Sequence, residues 1–245
     1  MAIALSELGD LLELMHTSRD RWNAAAAKGF EWRVPALLTE AFMRAIPKGA
    51  VTFGPGNTGE LPEEQEETWS LWVRQPSDYR AEFDVGDDRV EVVIKEHWWW
   101  DWSPRWGGRT NEGQENHGHG LGPGEVLFRP ADLLGALRFE SPQAGGEVAG
   151  RQSLLVRAVP ILVKERTPND DEESYIHSGL QGVGSGADEF QFHIDVESGV
   201  ILRSEAILAG RPFRILYMTE LTIDPDFGEG TFRLEPPNGE QFVRA

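Results

Sequence analysis

The chain has 245 residues and is strongly acidic, because 41 Asp and Glu residues outnumber 23 Lys and Arg residues and give a formal net charge of -18. This charge repels phosphate backbones and anionic membrane surfaces, so we expect no nucleic-acid partner. The absence of cysteine excludes disulfides, thiolate metal sites and cysteine nucleophiles. A chain of this length can bury a substantial core, and we expect a single domain over residues 1–245.

The first predicted element is an amphipathic helix over about residues 4–22, where apolar residues recur at spacings of three and four. Residues 1–10 lack the basic start, apolar core and small-residue cleavage site of a signal peptide. No apolar run approaches the ~20 residues of a membrane helix. We therefore expect no membrane insertion and a cytoplasmic location, with export only if a leader has been removed.

A meander of short strands follows. Residues 30–46 fit either a strand or a helix, and residues 47–67 are rich in Gly, Pro and Glu, which is typical of a flexible loop. Apolar residues then alternate over residues 69–73, 79–85 and 90–94, with turn residues between the runs. This pattern predicts three antiparallel strands.

Loops and a short helix interrupt the strands. Residues 103–124 and 164–187 are predicted to be flexible loops, because they are long and rich in Gly and polar residues. Pro130 suits the first turn of a short helix, and Leu133, Leu134 and Leu137 give that helix one apolar face. Residues 150–163 return to a strand pattern.

The clearest strand pattern lies in residues 188–237, which predict four antiparallel strands. Phe190, Phe192 and Ile194 alternate with polar residues, and Ser198-Gly199 supplies the following turn. Three further runs follow, over residues 200–208, 213–221 and 231–235. The chain shows no alternating βαβ rhythm, so the fold class is α+β, mainly antiparallel β.

Tryptophans are concentrated after the third predicted strand, where five of the nine in the chain lie within residues 98–106. Adjacent tryptophans on a strand point to opposite faces, so both faces of this strand should be covered. Trp98, Trp100 and Trp102 either line an apolar ligand cavity or are wedged between a curved sheet and the segments packed on it.

Three histidines invite a metal interpretation. His117 and His119 share one loop and His97 precedes the tryptophans, and neutral imidazole binds zinc well. The loop histidines lack the helical spacing of hydrolytic zinc sites, so an exposed loop is the alternative. The sequence contains no Walker loop, His-Glu-x-x-His motif or calcium loop. We predict no cofactor and no catalytic residue, and a metal-dependent enzyme is the third hypothesis.

The order of these signals resembles a known superfamily, the LolA/LolB-type lipoprotein carriers, over about residues 67–239. This superfamily includes periplasmic sensors that bind anti-sigma factors and many actinobacterial proteins. The landmarks are residues 72–82 (Trp-Val-Arg-Gln-Pro-Ser-Asp-Tyr-Arg-Ala-Glu), the strand pair after them, the aromatic residues 98–102, the helix at 130–137, residues 195–203 (Asp-Val-Glu-Ser-Gly-Val-Ile-Leu-Arg) and residues 232–239 (Phe-Arg-Leu-Glu-Pro-Pro-Asn-Gly).

The resemblance implies a strongly curved antiparallel sheet, an unclosed half-barrel with helices packed on its concave side. In the superfamily such a cavity takes acyl chains. We therefore expect a non-enzymatic binding protein for an apolar or lipid-like ligand; the alternative is a protein-interaction or regulatory module whose cavity is filled by its own side chains. The residues expected to line the cavity are Trp98, Trp100, Trp102, Phe190, Phe192, Ile194, Leu202, Tyr217 and Phe232.

Overall fold

The computed structural model describes residues 7–45, 62–113, 120–161 and 178–244. Within these ranges, thirteen strands form one strongly curved sheet that does not close into a barrel, which confirms the predicted fold class. The strands are β1 (Ala24–Arg33), β2 (Gln65–Arg74), β3 (Asp78–Val85), β4 (Asp88–Lys95), β5 (Trp98–Ser103), β6 (Gly107–Thr110), β7 (Leu137–Phe139), β8 (Gln143–Val148), β9 (Arg151–Pro160), β10 (Glu189–Asp195), β11 (Ile201–Leu208), β12 (Arg211–Ile223) and β13 (Val243–Arg244).

Short helices accompany the sheet. The α-helices are α1 (Leu8–His16), α2 (Pro35–Ala45) and α3 (Ser178–Val183). Single turns of 3-10 helix cover Ser18–Arg21, Glu125–Phe128, Pro130–Leu133 and Pro237–Gly239.

The sheet is ordered β13-β6-β5-β4-β3-β2-β1-β12-β11-β10-β9-β7, and β8 also pairs with β9. Neighbouring strands are antiparallel, except that β13 runs parallel to β6. The first strand therefore lies in the middle, between β2 and the last long strand, β12. This arrangement joins the two halves of the chain into one continuous sheet.

Two faces of the sheet differ in what covers them. We call the concave face, which carries Leu71, Val92 and Phe192, the inner face, and the opposite one the outer face. The inner face packs against α1 and the 3-10 turns, whose apolar residues Leu127 and Leu133 are fully buried. The hydrophobic core lies in this layer between the sheet and the helices.

The outer face is crossed by the segment that follows β12, and we call residues 224–244 the C-terminal segment. The ring of Phe232 lies 4.7 Å from the guanidinium carbon of Arg74 on β2. Arg80 on β3 donates hydrogen bonds of 3.4 and 3.3 Å to the carbonyl oxygens of Thr231 and Arg233. The segment thus runs from the middle of the sheet to its far edge, where it ends as β13.

The structure corrects several predicted boundaries. The predicted first helix is the shorter α1 followed by a 3-10 turn. Residues 65–67 begin β2, residues 107–110 form β6 and residues 178–183 form α3, all within predicted loops. Residues 30–46 divide between the end of β1 and α2. The remaining parts of the predicted loops, residues 47–61, 114–119 and 164–177, lie outside the described residues.

The predicted final strand, residues 231–235, is wrong. Residues 229–232 form turns instead, with the amide of Thr231 bonded to the carbonyl of Gly228 at 3.1 Å. Phe232 packs edge-on against Phe227 at 5.2 Å between ring centroids. Alternation at Phe232 and Leu234 therefore reflects packing of one side chain on the outer face and not pairing with a neighbouring strand.

Candidate functional site

The side chains predicted to line a cavity divide between the two faces of the sheet. Phe190, Phe192, Ile194 and Leu202 lie on the inner face and are each 0% exposed. The others lie on the outer face: Trp98, Trp100, Trp102, Tyr217 and Phe232. The structure therefore does not bring the tryptophans to the inner-face phenylalanines, and whether any of these residues contacts a ligand stays a prediction.

The orientation of the tryptophans follows from the register of β5. Trp99 and Asp101 pair with Ile94 and Val92 of β4, which face the core. Because side chains alternate along a strand, Trp98, Trp100 and Trp102 must point outward. The sequence predicts the alternation but does not say which of the adjacent rings faces inward.

Tyr217 points outward because of a β-bulge. The pairing of β11 with β12 shifts between Ala206 and Ile207, close to Phe213. Such a shift of one residue moves all following side chains to the opposite face. Phe213, Leu216 and Met218 are consequently buried at 0% exposure, and the Tyr217 ring stacks on Phe30 on the outer face, at 5.2 Å between centroids.

Among the described residues, the inner face is packed by the chain's own side chains. Leu11 and Met15 of α1 are each 0% exposed, as is Leu127 of the 3-10 turn Glu125–Phe128. A cavity lined by Trp22, Leu71 and other described residues has a volume of about 10 Å³. This is room for about one water molecule, whereas pockets for drug-sized ligands measure ~300–1,000 Å³.

Polar contacts anchor the end of the α1 region to the sheet. Ser18 Oγ donates to the carbonyl of Ser198 at 2.8 Å, and Arg19 Nη2 donates to the Tyr79 hydroxyl at 2.9 Å. The side-chain amide of Gln75 donates to the carbonyl of Trp22 at 3.0 Å. The turn after α1 is therefore bound to both halves of the sheet.

A cluster of buried charges lies at one end of the inner face. Glu31 and Glu67 are 4% and 7% exposed. Arg214 Nε lies 2.7 Å from a Glu31 carboxylate oxygen, and Arg33 Nη2 lies 2.7 Å from one of Glu67. Arg214 also donates to the carbonyl of Gln181 on α3 at 2.8 Å. Each carboxylate is thus neutralised by an arginine, and the cluster fixes α3 on the sheet.

A second buried acid lies on β5 beside the tryptophans. Asp101 is 0% exposed and accepts a hydrogen bond of 3.0 Å from Arg109 Nε, and the guanidinium carbon of Arg109 lies 4.7 Å from the ring centroid of Trp106. Asn111 accepts from the amide of Trp99 at 2.7 Å. The sequence did not predict these partners, because residues 103–124 have the composition of a loop.

The predicted histidine site has no counterpart among the residues that the structure describes. His97 packs on Trp98, with 4.3 Å between ring centroids. His117 and His119 lie outside the described residues. Across residues 7–45, 62–113, 120–161 and 178–244, no group of three or more His, Asp or Glu residues is placed to hold a metal ion.

The outer face carries an aromatic surface that the C-terminal segment covers. We define the outer aromatic surface as Trp72, Trp100 and Trp102, which share this face with Arg80. The guanidinium of Arg80 lies 5.7 Å from the Trp72 ring centroid. The indole nitrogen of Trp102 is buried and has no hydrogen-bond partner in the described part of the chain. Gly108 pairs with Trp102, and a Cβ placed on Gly108 would lie 3.0 Å from the ring of Phe242 in the C-terminal segment.

Comparisons with known proteins support the fold and go no further. No protein-family model and no curated protein matches the sequence. A conserved protein of Thermus thermophilus with a solved structure is 12% identical, covers 97% of this chain and 98% of its own, and has a TM-score of 0.51. MucB in the Pseudomonas aeruginosa MucA/MucB complex is 18% identical, with a TM-score of 0.43 and 92% of this chain covered. The chain spans 60% of that MucB chain.

The solved structures also include a LolA superfamily protein of Nitrosomonas europaea, which is 7% identical, covers 93% of this chain and 98% of its own, and has a TM-score of 0.33. A LolA superfamily protein is thus among the solved structures that are similar to this chain, in agreement with the resemblance predicted from the sequence. Because the identities are all below 25%, the likeness concerns the fold alone. Within the described ranges, no helix is long and apolar enough to cross a membrane.

Proposed function

We propose that this chain is a non-enzymatic binding protein that acts as a protein-interaction module on a LolA-like scaffold. One observation carries the proposal: the inner face, which would hold an apolar ligand, is packed with the chain's own residues. Phe190, Phe192 and Ile194 are 0% exposed beneath this layer. A packed inner face leaves no room for a ligand, so binding would use the outer surfaces.

The net charge of -18 limits the kind of partner. A strongly acidic protein attracts basic surfaces and repels acidic ones, and this steering acts on the association rate in particular. We therefore propose a protein partner with a basic or neutral contact surface, and neither a nucleic acid nor an anionic membrane.

The second candidate is an apolar or lipid-like ligand that displaces α1. The layer under the helix favours it, because Phe190 and Phe192 stack at 5.7 Å between centroids and form part of a broad apolar surface. Exposing the buried residues of α1 costs about 1.5–3 kcal/mol per side chain. Burying an acyl chain gains about 0.8 kcal/mol per methylene, so a long chain can offset that cost.

A fatty-acid titration separates the two candidates. The purified chain is examined by native mass spectrometry for bound lipid and then titrated with a fluorescent fatty acid. The variant Leu11→Ala removes a buried side chain of α1 and should open space on the inner face. The matched control is Leu12→Ala, the same change at the neighbouring, partly exposed position of the helix.

We expect no bound lipid and no saturable fatty-acid binding by the wild-type chain. Leu11→Ala should lower the free energy of unfolding by about 2–5 kcal/mol without creating fatty-acid binding. Stoichiometric fatty-acid binding that tightens in Leu11→Ala but not in Leu12→Ala would reject the self-filled module and establish the second candidate.

A further inference from the structure

We propose that the outer side of β6 is a docking site for an extended segment of a partner protein, and that the chain's own C-terminal segment occupies this site in cis. The inference rests on the proposed interaction function and names its surface. The partner segment is extended, carries an aromatic ring at the place of Phe242 and is followed two residues later by a basic side chain.

The edge of β6 supplies the main-chain part of the site. Val243 and Arg244 pair in parallel with Arg109 and Thr110. A sheet edge offers unpaired N–H and C=O groups to any extended chain, and added strands use such edges in many peptide complexes. The pairing covers two residues of the four in β6, so a longer segment could pair along more of the strand.

Gly108 supplies the side-chain part of the site. A Cβ placed on Gly108 would lie 3.0 Å from a ring atom of Phe242 and 3.4 Å from Cγ of Pro236. The neighbouring Gly107 has a φ of +72°, which favours glycine for backbone reasons. Gly108 is not in that left-handed region, so its backbone does not require glycine. The lack of a side chain at Gly108 instead leaves room for the Phe242 ring and for Pro236.

The cis occupant is anchored at its start, where Asp224 accepts hydrogen bonds of 2.7 and 2.9 Å from the amides of Asn23 and Ala24. Its far end is held by fewer contacts, which makes exchange at β6 feasible. Val243 is 67% exposed. The hydrogen bonds from Arg80 to the segment are 3.3 and 3.4 Å long, beyond the usual range for N–H···O bonds. Among the described residues, the ion pair that involves residues 224–244 joins Arg233 to Glu235 inside the segment itself. Within this described part of the chain, no charge pair therefore ties the segment to the sheet.

Charge and local geometry indicate the sequence class of the partner. A Cβ on Gly113 would lie 3.1 Å from a guanidinium nitrogen of Arg244, so the basic side chain of the segment extends over the chain after β6. The net charge of -18 also favours a basic segment. A segment of the type aromatic, any residue, basic thus reproduces the contacts of Phe242, Val243 and Arg244.

The effective concentration of a tethered segment explains why the site is normally closed. A short flexible tether holds a segment near its site at a concentration in the millimolar range. A free peptide with the same contacts competes poorly with it. Weakening the cis segment should therefore open the site for a peptide in trans.

The test uses the full chain and a fluorescent peptide with the sequence of residues 236–245 (Pro-Pro-Asn-Gly-Glu-Gln-Phe-Val-Arg-Ala), followed by anisotropy. The variant Phe242→Ala weakens the cis segment and should bind the peptide at least tenfold more tightly than the wild-type chain. Adding Gly108→Val to this variant places a side chain in the space of the ring and should abolish binding.

Two controls keep the outcome decisive. A peptide with alanine in place of its phenylalanine should not bind the Phe242→Ala chain. This comparison needs no second protein variant, so it is valid even if the Gly108→Val chain fails to fold. Near-ultraviolet circular dichroism of each variant checks that the sheet is intact. Equal affinity of the peptide for wild-type and Phe242→Ala chains, or equal binding of the two peptides, overturns the docking site.

Failure of the proposed function has a different signature. Stoichiometric fatty-acid binding on the inner face would overturn the interaction module without changing the peptide results, because the inner face and the outer side of β6 lie on opposite sides of the sheet. Loss of peptide binding would overturn the docking site without producing a lipid complex.

Discussion

The carboxylate of Asp195 closes the hairpin between β10 and β11. It is 1% exposed and accepts a hydrogen bond of 2.8 Å from the amide of Ser198. Arg151 donates to both carboxylate oxygens at 2.9 Å, and this hydrogen bonding raises the pKa of the Arg151 guanidinium. The Asp-Val-Glu-Ser-Gly sequence therefore stabilises the turn between β10 and β11. Its resemblance to the carrier sequences indicates a shared structural role and no chemical activity.

His193 lies in an environment that opposes protonation of its ring. Its ring is half-buried, and Nδ1 lies 3.1 Å from the hydroxyl of Ser153. Burial lowers the pKa of His193 below its ordinary value of 6.5, and the charge of Arg203 lowers it further, although Glu205 opposes this. The folded protein therefore favours the neutral ring, whereas the unfolded chain takes up a proton at about pH 6.5.

This difference predicts a loss of stability on acidification. The free energy of unfolding should fall as the pH is lowered from about 7.5 through 6.5 to 5.5, because the unfolded state then binds more protons than the folded state. His193→Gln retains a hydrogen-bonding side chain without the titration, so its decrease over this range should be smaller. Urea midpoints at the two pH values measure the effect, and identical pH slopes for both chains would show that His193 does not contribute.

At the scale of the elements, β1 illustrates how close packing overrides local preference. Residues 24–27 are alanines, which favour helices, yet they form the middle of the sheet. Their small side chains leave room for large neighbours, and Gly29 lies directly beneath the ring of Trp69. The pairing of β1 with β12 shifts next to this glycine, so the bulge and the close approach occur together.

Gly29→Ala should lower the free energy of unfolding by about 2–3 kcal/mol, because a Cβ there would overlap both the carbonyl oxygen of Tyr217 and the ring of Trp69. The matched control is Gly9→Ala in α1, where no atom lies within 4 Å of the added Cβ. That change should raise stability by up to about 1 kcal/mol, since alanine favours the helix. Chemical denaturation of both variants gives the comparison. A neutral Gly29→Ala would mean that the Tyr217 carbonyl and the Trp69 ring can both move aside at little cost.

Much of the sheet could be predicted from the sequence, and the exceptions have identifiable causes. Strands β2 to β4 and β10 to β12 show alternation because one face of each is buried. The bulge that turns Tyr217 outward depends on the partner strand, which the sequence of β12 does not contain. Gly107 and Gly108 show no alternation at all, so β6 and its contacts with the C-terminal segment could not be predicted from the local sequence.

At the scale of the whole molecule, many of the charged side chains form ion pairs. On the outer face Arg80 pairs with Glu82 at 2.9 Å and Glu91 at 3.0 Å, and Arg89 pairs with Glu82 at 2.8 Å. These pairs, two of which join β3 to β4, are partly exposed, and each contributes about 0–1 kcal/mol. Acidic residues outnumber basic ones over the whole chain, which therefore retains a net charge of -18.

We expect added salt to stabilise the protein. Between about 0.01 and 0.3 M NaCl the screening length falls from ~30 Å to below ~10 Å, which reduces repulsion across the folded chain more than it weakens short ion pairs. The urea midpoint should therefore rise over this range, and KCl should give the same curve if screening is the cause. A midpoint that declines with salt would indicate that the outer-face ion pairs dominate.

The central position of β1 has a consequence for the order in which the sheet can form. During synthesis β2 is available soon after β1, but β12, which pairs with the other side of β1 from Ala25 to Arg33, is made only after β2 to β11. Until then a nascent chain carries an open strand edge in what becomes the middle of the sheet, and such edges attract other extended chains. Completing the sheet by long-range pairing should also make folding slow compared with a local meander.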